Sequence, residues 1–389
     1  MTMTIFDIDL SEFIEIRHQI HANPELAFEE FSTADLVVEK LKQWGYSVTT
    51  GIGGTGVVGQ LKMGNGPKSL GLRADMDALP ITEATSLPWA SKNIGKMHAC
   101  GHDGHTASLL AAAKLIAAKK QFNGTVNLIF QPAEEGAGGA KAMIADGLFE
   151  KFPCDAIYAF HNMPGIAQGR VVTKTGPMMA SSDYLTVRLT GVGGHGGFPH
   201  KATDVVVAGS AIVMALQSIV ARNIDPLSTA VITVGAFNAG YANNVIPSEA
   251  KLEISIRALD RESRTTLKDR IFKIIKAQAE SFDVVVELDW RDGYAVLVNT
   301  DCETQFLAKV ASNVVGKDFV DTQGQSLTGS EDFAFMLEKV PGCYFLIGNG
   351  SNAEVVGSCM VHNPAYDFND KNIDVAAKIW AELVRQYLN

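Results

Sequence analysis

The stretch Thr125-Val126-Asn127-Leu128-Ile129-Phe130-Gln131-Pro132-Ala133-Glu134-Glu135-Gly136 begins as an apolar run and stops at a proline followed by two carboxylates. A short β-branched and aromatic run closed by proline and glycine reads as a buried strand. Two other runs have the same form. Ser69-Leu70-Gly71-Leu72-Arg73-Ala74 leads into Asp75-Met76-Asp77, and Ala156-Ile157-Tyr158-Ala159-Phe160 leads into His161-Asn162. Helical segments, 107–119 and about 138–147, lie between them. Strands alternating with helices predict an α/β fold with a mixed, largely parallel sheet. In such sheets, sites form beyond the carboxyl ends of the strands. Asp77, Glu134, Glu135 and His161 all fall there.

A second stretch supplies further chemistry to that edge. Met97-His98-Ala99-Cys100-Gly101-His102-Asp103-Gly104-His105 packs a thiol, imidazoles and a carboxylate around two glycines. Thiolate and imidazole are the usual donors for zinc-like metals. Taken alone, the stretch also reads as a glycine-rich helix entry with exposed histidines. Together with the strand ends it gives a donor set of Cys100, His102, Glu135, His161 and His362. That set is too large for one tetrahedral zinc and suits two metals sharing a ligand and a water. Glu134 and Glu135 lie beyond Pro132, where the strand is ending, so one carboxylate can coordinate while Glu134 serves as general base. Asp77 or Asp103 is placed to orient a ligating imidazole. The first reading for Asp103 is a helix N-cap.

The rest of the chain bounds the problem. At 389 residues, with 47% hydrophobic and 20% charged residues, it is long enough for two domains. A net charge of −10 without long charged runs suggests neither a nucleic-acid nor a membrane-surface partner. The 5 cysteines are odd in number and scattered, which reads as free thiols in a reducing, cytoplasmic compartment. Met1 to Leu10 carries acids and lacks the basic and apolar regions of a signal peptide. The apolar stretch Val205 to Leu216 is too short to cross a bilayer. Gly51-Ile52-Gly53-Gly54-Thr55-Gly56 matches GxGxxG but opens the strand-like run Val57 to Leu61, so it reads as a hairpin turn rather than a nucleotide loop.

Near residue 182 the pattern changes. Tyr184 to Thr190 alternates as a half-buried strand. A glycine-rich loop around His195 follows, then a helix at about 203–222, strands at about 229–237 and 249–258, a helix at 261–281 and a strand at 283–290. That β-α-β-β-α-β order is the ferredoxin-like split βαβ unit. We therefore expect a module at 182–291 inserted into a domain made of 1–181 and 292–389. The latter resumes with helices around 302–314, 331–338 and 371–387 and a strand from Cys343 to Ile347.

Several motifs are specific enough to carry a resemblance. They are His98 to His105, Gln131-Pro132-Ala133-Glu134-Glu135, Gly194-His195-Gly196-Gly197 with Pro199-His200, Asn243-Asn244-Val245-Ile246-Pro247 and Gly329-Ser330-Glu331-Asp332-Phe333. Arg17-His18-Gln19-Ile20-His21 with Pro24-Glu25-Leu26 and His362-Asn363-Pro364 extend them to both ends. The sequence resembles the dinuclear metal amidohydrolase/peptidase family, in the branch of aminoacylases, hippurate hydrolases, N-acetyl-diaminopimelate deacetylases and auxin-conjugate hydrolases. The resemblance implies a zinc-peptidase-like catalytic domain with a ferredoxin-like lid. It also implies two divalent transition metals (zinc, manganese, cobalt or nickel), a small N-acyl-amino acid substrate and a homodimer through the lid. By that resemblance the ligands are Cys100, His102, Glu135, His161 and His362, with Cys100 bridging, and the base is Glu134. His195 would stabilise the oxyanion from the partner's lid, and Asn243 or Asn244 and Arg257 would hold the substrate carboxylate. Cys100 stands where the carboxypeptidase branch is aspartate-rich, which favours an acyl-amino acid amidase over a general dipeptidase or carboxypeptidase. Two other readings are a Cys100–His nucleophile, which needs no metal, and a non-catalytic metal-binding relative, which needs no Glu134.

Overall fold

The computed structural model describes residues 9–351 and 359–389. Of the leader reading over Met1–Leu10, residues 1–8 lie outside the described residues. The chain divides into two compact units. The first holds Met1–Met178, Val298–Gln325 and Asp332–Asn389; the second holds Met179–Leu297 together with Ser326–Glu331. The segment Ser326–Glu331, assigned above to the interrupted domain, thus belongs with the second unit.

In the first unit, helices α1 (Ser11–Ala22) and α2 (Phe31–Gln43) precede an antiparallel hairpin of β1 (Ser47–Ile52) and β2 (Gly56–Met63). Gly53 and Gly54 form its turn, as the sequence reading holds. The three apolar runs become β3 (Ser69–Asp75), β4 (Gly124–Gln131) and β5 (Ala156–Pro164). They belong to an 8-stranded sheet. At its centre β4, β3, β5 and the strand Gly342–Gly350 run parallel, while β1 and β2 pair antiparallel at one edge. β5 continues past Phe160 to Pro164, so His161 sits inside a strand rather than just beyond one.

Helix α3 (His102–Lys119) starts earlier than its apolar run does, because the polar residues of its first turn all find buried partners. Leu109, Leu110, Leu115 and Ile116 are buried, as is the rest of the helix up to Ala117 apart from Lys114, so it has no solvent face. It packs against α1 and the closing helix Lys371–Tyr387. Asp103 is not the N-cap. Gly101 holds that position at φ 93°, and Asp103 lies in the first turn with its side chain buried.

The second unit is a 4-stranded antiparallel sheet in the order Ala230–Ala239, Glu249–Ala258, Ser181–Thr190, Val285–Asp292. Period-2 burial sets one face: Leu185, Val187, Leu189, Leu252, Ile254 and Ile256 point to a core shared with helices Val205–Asn223 and Arg261–Ser281. Both helices carry aspartate N-caps, Asp204 to the N–H of Val206 and Val207 and Asp260 to that of Ser263. The element order and strand order are ferredoxin-like. The helix Val205–Asn223 outruns its apolar stretch and, at a mean hydropathy of 1.8, is long and apolar enough to cross a membrane by length and composition. Its Ala208, Ile212, Leu216 and Ile219 pack into the core of this unit.

A buried ionic layer ties the ends of the first unit to α3. Arg17 of α1 donates to Asp367 at 2.8 Å and to Asp370 at 2.8 Å, and lies 3.6 Å from Asp103. His21, one turn on, has Nδ1 2.8 Å from Asp103 Oδ2 and Nε2 3.3 Å from Glu83. Burial opposes charge on His21, but the Asp103 and Glu83 carboxylates outweigh it and push its pKa up to about 9. A pKa raised above its value in the unfolded chain gives stability that is complete below pH 6.5 and lost as pH rises through about 9. We expect the thermal stability of the protein to fall over this window by on the order of 3 kcal/mol from this group. His21→Gln should be less stable at pH 6.5 and show a flatter profile in thermal unfolding across the window. Parallel profiles for the two proteins would show that His21 is not charged in the folded state.

Candidate metal centre

Each predicted ligand is carried by a different local structure. Cys100 precedes α3, and His102 opens it. Glu135 lies in the loop after β4, His161 is in β5, and His362 is on the loop before the closing helix. The loop carrying Cys100 is shaped by Gly101, where a Cβ would come within 2.3 Å of Asn162 Nδ2 and 2.5 Å of the Tyr366 hydroxyl. Only glycine can sit there. Asn162 Nδ2 in turn donates to the Cys100 carbonyl at 2.7 Å, which fixes the turn from beneath.

The donors fall into two groups with one member in common. Cys100, His102 and His161 offer ligand atoms within 4.8 Å of one another, and so do Cys100, Glu135 and His362. Cys100 Sγ lies 3.2 Å from His161 Nε2, and His362 Nε2 lies 3.2 Å from Glu135 Oε1. Glu134 joins His102 and Glu135 in a third group of the same span. All six residues belong to the first unit.

Hydrogen bonds aim the imidazoles. His102 Nδ1 faces the Asp77 carbonyl at 2.8 Å and its carboxylate at 3.2 Å. His161 Nδ1 faces the Asn162 carbonyl at 2.6 Å. With Nδ1 donating to a carbonyl, the lone pair of neutral His161 is on Nε2, and loss of a proton from His102 leaves its lone pair there too, the tautomer a metal needs. His102 Nε2 is buried and makes no hydrogen bond, an orphan that a cation would satisfy. The residues present therefore fit a metal pair.

The electrostatics agree. Burial and the carboxylates of Glu135, Glu134 and Asp75 push the Cys100 thiol well above its ordinary range. Burial and the neighbouring His105 hold His161 neutral. Burial opposes charge on His102, but Asp75 and Asp77 push its pKa up to about 10. A nucleophilic cysteine requires an electropositive setting that lowers its pKa. Cys100 has the reverse, a setting that disfavours a nucleophile–base pair with His161.

Asp77 is the orienting carboxylate. Besides facing His102, it accepts the N–H groups of Glu134 and Glu135 at 3.0 Å each. Asp103 orients His21 instead. Residues given no role in the sequence reading prove central. Asp75 accepts from Arg73 at 2.7 Å and lies 2.6 Å from His105 Nδ1. Asp332 joins Arg73, Gln131 and the N–H of Ala140. Asp75 stood at a strand end beside Asp77, and that position was the available signal.

The other predicted residues lie in the second unit. His195 pairs with Val245 on a short two-stranded ladder, and its Nδ1 accepts from the N–H of Gly197 at 3.0 Å. His195 and Asn244 line one cavity of about 620 Å³ with Tyr241. Asn243 is exposed in the turn beside Asn244. Arg257 is half-buried on the strand Glu249–Ala258 and donates to Ser330 Oγ at 2.9 Å.

With this geometry in hand, comparison with known proteins narrows the class. The chain is 49% identical over 377 residues to a hippurate hydrolase of Campylobacter jejuni, covering 97% of each protein. It is 37% identical to an N-acetyl-L-cysteine deacetylase of Bacillus subtilis, covering 97% of this chain and 88% of that one. Among solved structures, the Bacillus subtilis YXEP protein, a dinuclear metal binding peptidase, superposes with a TM-score of 0.81 at 31% identity, over 97% of this chain and 98% of that one. The family model described as peptidase family M20/M25/M40 matches residues 71–386, and the chain belongs to that family.

Proposed function

We propose that this protein is a metal-dependent amidohydrolase that cleaves N-acyl-amino acids to a carboxylate and a free amino acid. The observation that carries the reading is the pair of donor groups meeting at Cys100, with the further carboxylate of Glu134 held beside them. Similarity to a hippurate hydrolase and an N-acetyl-L-cysteine deacetylase supports acyl-amino acids as the substrate class.

Cys100, His102 and His161 would hold one divalent cation, and Cys100, Glu135 and His362 the other. Zinc, manganese, cobalt and nickel all suit these donors. When bound, such a pair supplies Lewis acidity to the scissile carbonyl and lowers the pKa of water. Glu134, fixed through its own N–H by Asp77, takes the proton of the attacking water and returns it to the leaving amine. His195 would donate to the developing oxyanion, and Asn243 or Asn244 with Arg257 would hold the substrate carboxylate. A homodimer through the second unit is supported by Val206, Val207 and Met214, exposed on one helix, and by the edge strand Ala230–Ala239. Five free cysteines support a cytoplasmic location.

Chelated protein assayed on N-acetyl- and N-benzoyl-amino acids and on dipeptides, with and without each metal, tests the reading. Turnover that depends on added metal and favours acyl-amino acids is expected; a preference for dipeptides would make it a dipeptidase. Glu134→Gln should keep both metals and lose at least about a hundredfold in kcat. Wild-type turnover in that variant would remove Glu134 as base. Metal uptake should also release protons, because the Cys100 thiol and the His102 imidazolium must both deprotonate. Apparent affinity therefore rises with pH, measurable by calorimetry in buffers of different ionisation enthalpy. Uptake without proton release would exclude this ligand set.

A further inference from the structure

The loop Asn23–Phe28 and the residues just after it have no part in the ligand set, yet they pack against the loop that bears Glu134. Glu30 is fully buried. Its Oε1 accepts the N–H of Ala133 at 2.9 Å and that of Phe28 at 3.0 Å, and its Oε2 accepts the hydroxyl of Thr55. Both N–H donors belong to residues in the left-handed region, Ala133 at φ 54° and Phe28 at φ 63°. Neither is a glycine, so each conformation is disfavoured and must be held from outside. Ala133 has no solvent exposure, and its carbonyl accepts from Gly139 at 2.9 Å. The same loop is anchored nearby, with Glu25 O accepting from Ala78 at 2.8 Å, one residue after Asp77.

Ala133 immediately precedes Glu134. Asp77 holds Glu134 by its N–H, and Glu134 Oε1 lies 3.4 Å from the N–H of Asp332. The direction in which Glu134 leaves the loop is set by the backbone of Ala133. Were Ala133 to relax to its preferred right-handed or extended conformation, the Glu134 carboxylate would leave its position beside His102 and Glu135.

We propose that Glu30 is a positioning residue for the general base, holding Ala133 left-handed so that Glu134 keeps its aim. This rests on the reading of Glu134 as the base. Glu30 touches none of the predicted ligands, so its loss acts on proton transfer and not on metal binding. Burial raises its pKa. The neutral amide of glutamine reproduces its contacts, with Oε1 accepting from both N–H groups and Nε2 donating to Thr55.

The test uses the metal-loaded full chain, with N-benzoylglycine as substrate and Mn²⁺ as metal. It compares wild type, Glu30→Ala, Glu30→Gln, Glu30→Ala/Ala133→Gly and Glu134→Gln. Glu30→Ala should lose about tenfold in kcat, with KM and metal content per chain unchanged. Ala133→Gly in that background should recover at least about threefold, because glycine adopts positive φ without help. Glu30→Gln should stay near wild type. Unchanged kcat in Glu30→Ala, loss of metal along with activity, or failure of Ala133→Gly to restore turnover would each overturn the proposal. If Glu30→Ala does not fold, Glu30→Asp, which shortens the reach by one methylene, is read with and without Ala133→Gly by the same criteria. Wild-type turnover in Glu134→Gln would instead overturn the reading of the base, so the two failures are distinct.

Discussion

The carboxylate of Asp77 accepts the N–H groups of both Glu134 and Glu135 and faces the Nδ1 of His102. One buried side chain thus fixes His102, Glu135 and the adjacent Glu134 in a single frame. It can do so because β3 delivers it parallel to β4, whose end carries the glutamates, and against the first turn of α3, which carries the histidine. The geometry of this frame is therefore inherited from strand register. A slip of the β3–β4 pairing would separate the orienting carboxylate from everything it orients.

Around that frame lies an unusual density of buried acid. Asp75, Asp77, Glu134 and Asp332 are buried, and Glu135 is nearly so. The permanent cation among them, Arg73, is committed to Asp75 and Asp332. Removing one partner of such a buried pair costs about 3–5 kcal/mol, since the other charge is left uncompensated. The carboxylates make the cluster strongly electronegative, and burial together with Glu135, Glu134 and Asp75 pushes the Cys100 thiol well above its ordinary range.

Much of this was legible in the sequence, for identifiable reasons. The strand ends of β3, β4 and β5 show because each apolar run halts abruptly at polar residues, and the split βαβ order of the second unit shows in its alternating periods. The start of α3 did not show, since His102, Asp103, Gly104 and His105 look like a polar loop. They are helical because Asp75, Asp77 and His21 receive their side chains, partners far away in sequence. Asp103 was misread for the same reason: its partner His21 lies on α1, and local pattern favours a cap. Glu30 was invisible, because nothing near it in sequence reveals that it reaches the backbone of Ala133.

The ionic layer that joins Arg17 to Asp367 and Asp370 spans separations of 350 and 353 residues. The last predicted ligand, His362, also comes from near the end of the chain. Contacts of such high order form late, since the entropy of closing the loop must be met before they reward it. During synthesis the sheet can assemble β1 to β5 while the chain is still emerging, but the centre cannot be completed until almost all of it has left the ribosome. A nascent or prematurely ended chain would thus hold a folded strand array bearing Cys100 and His102 with no closed site.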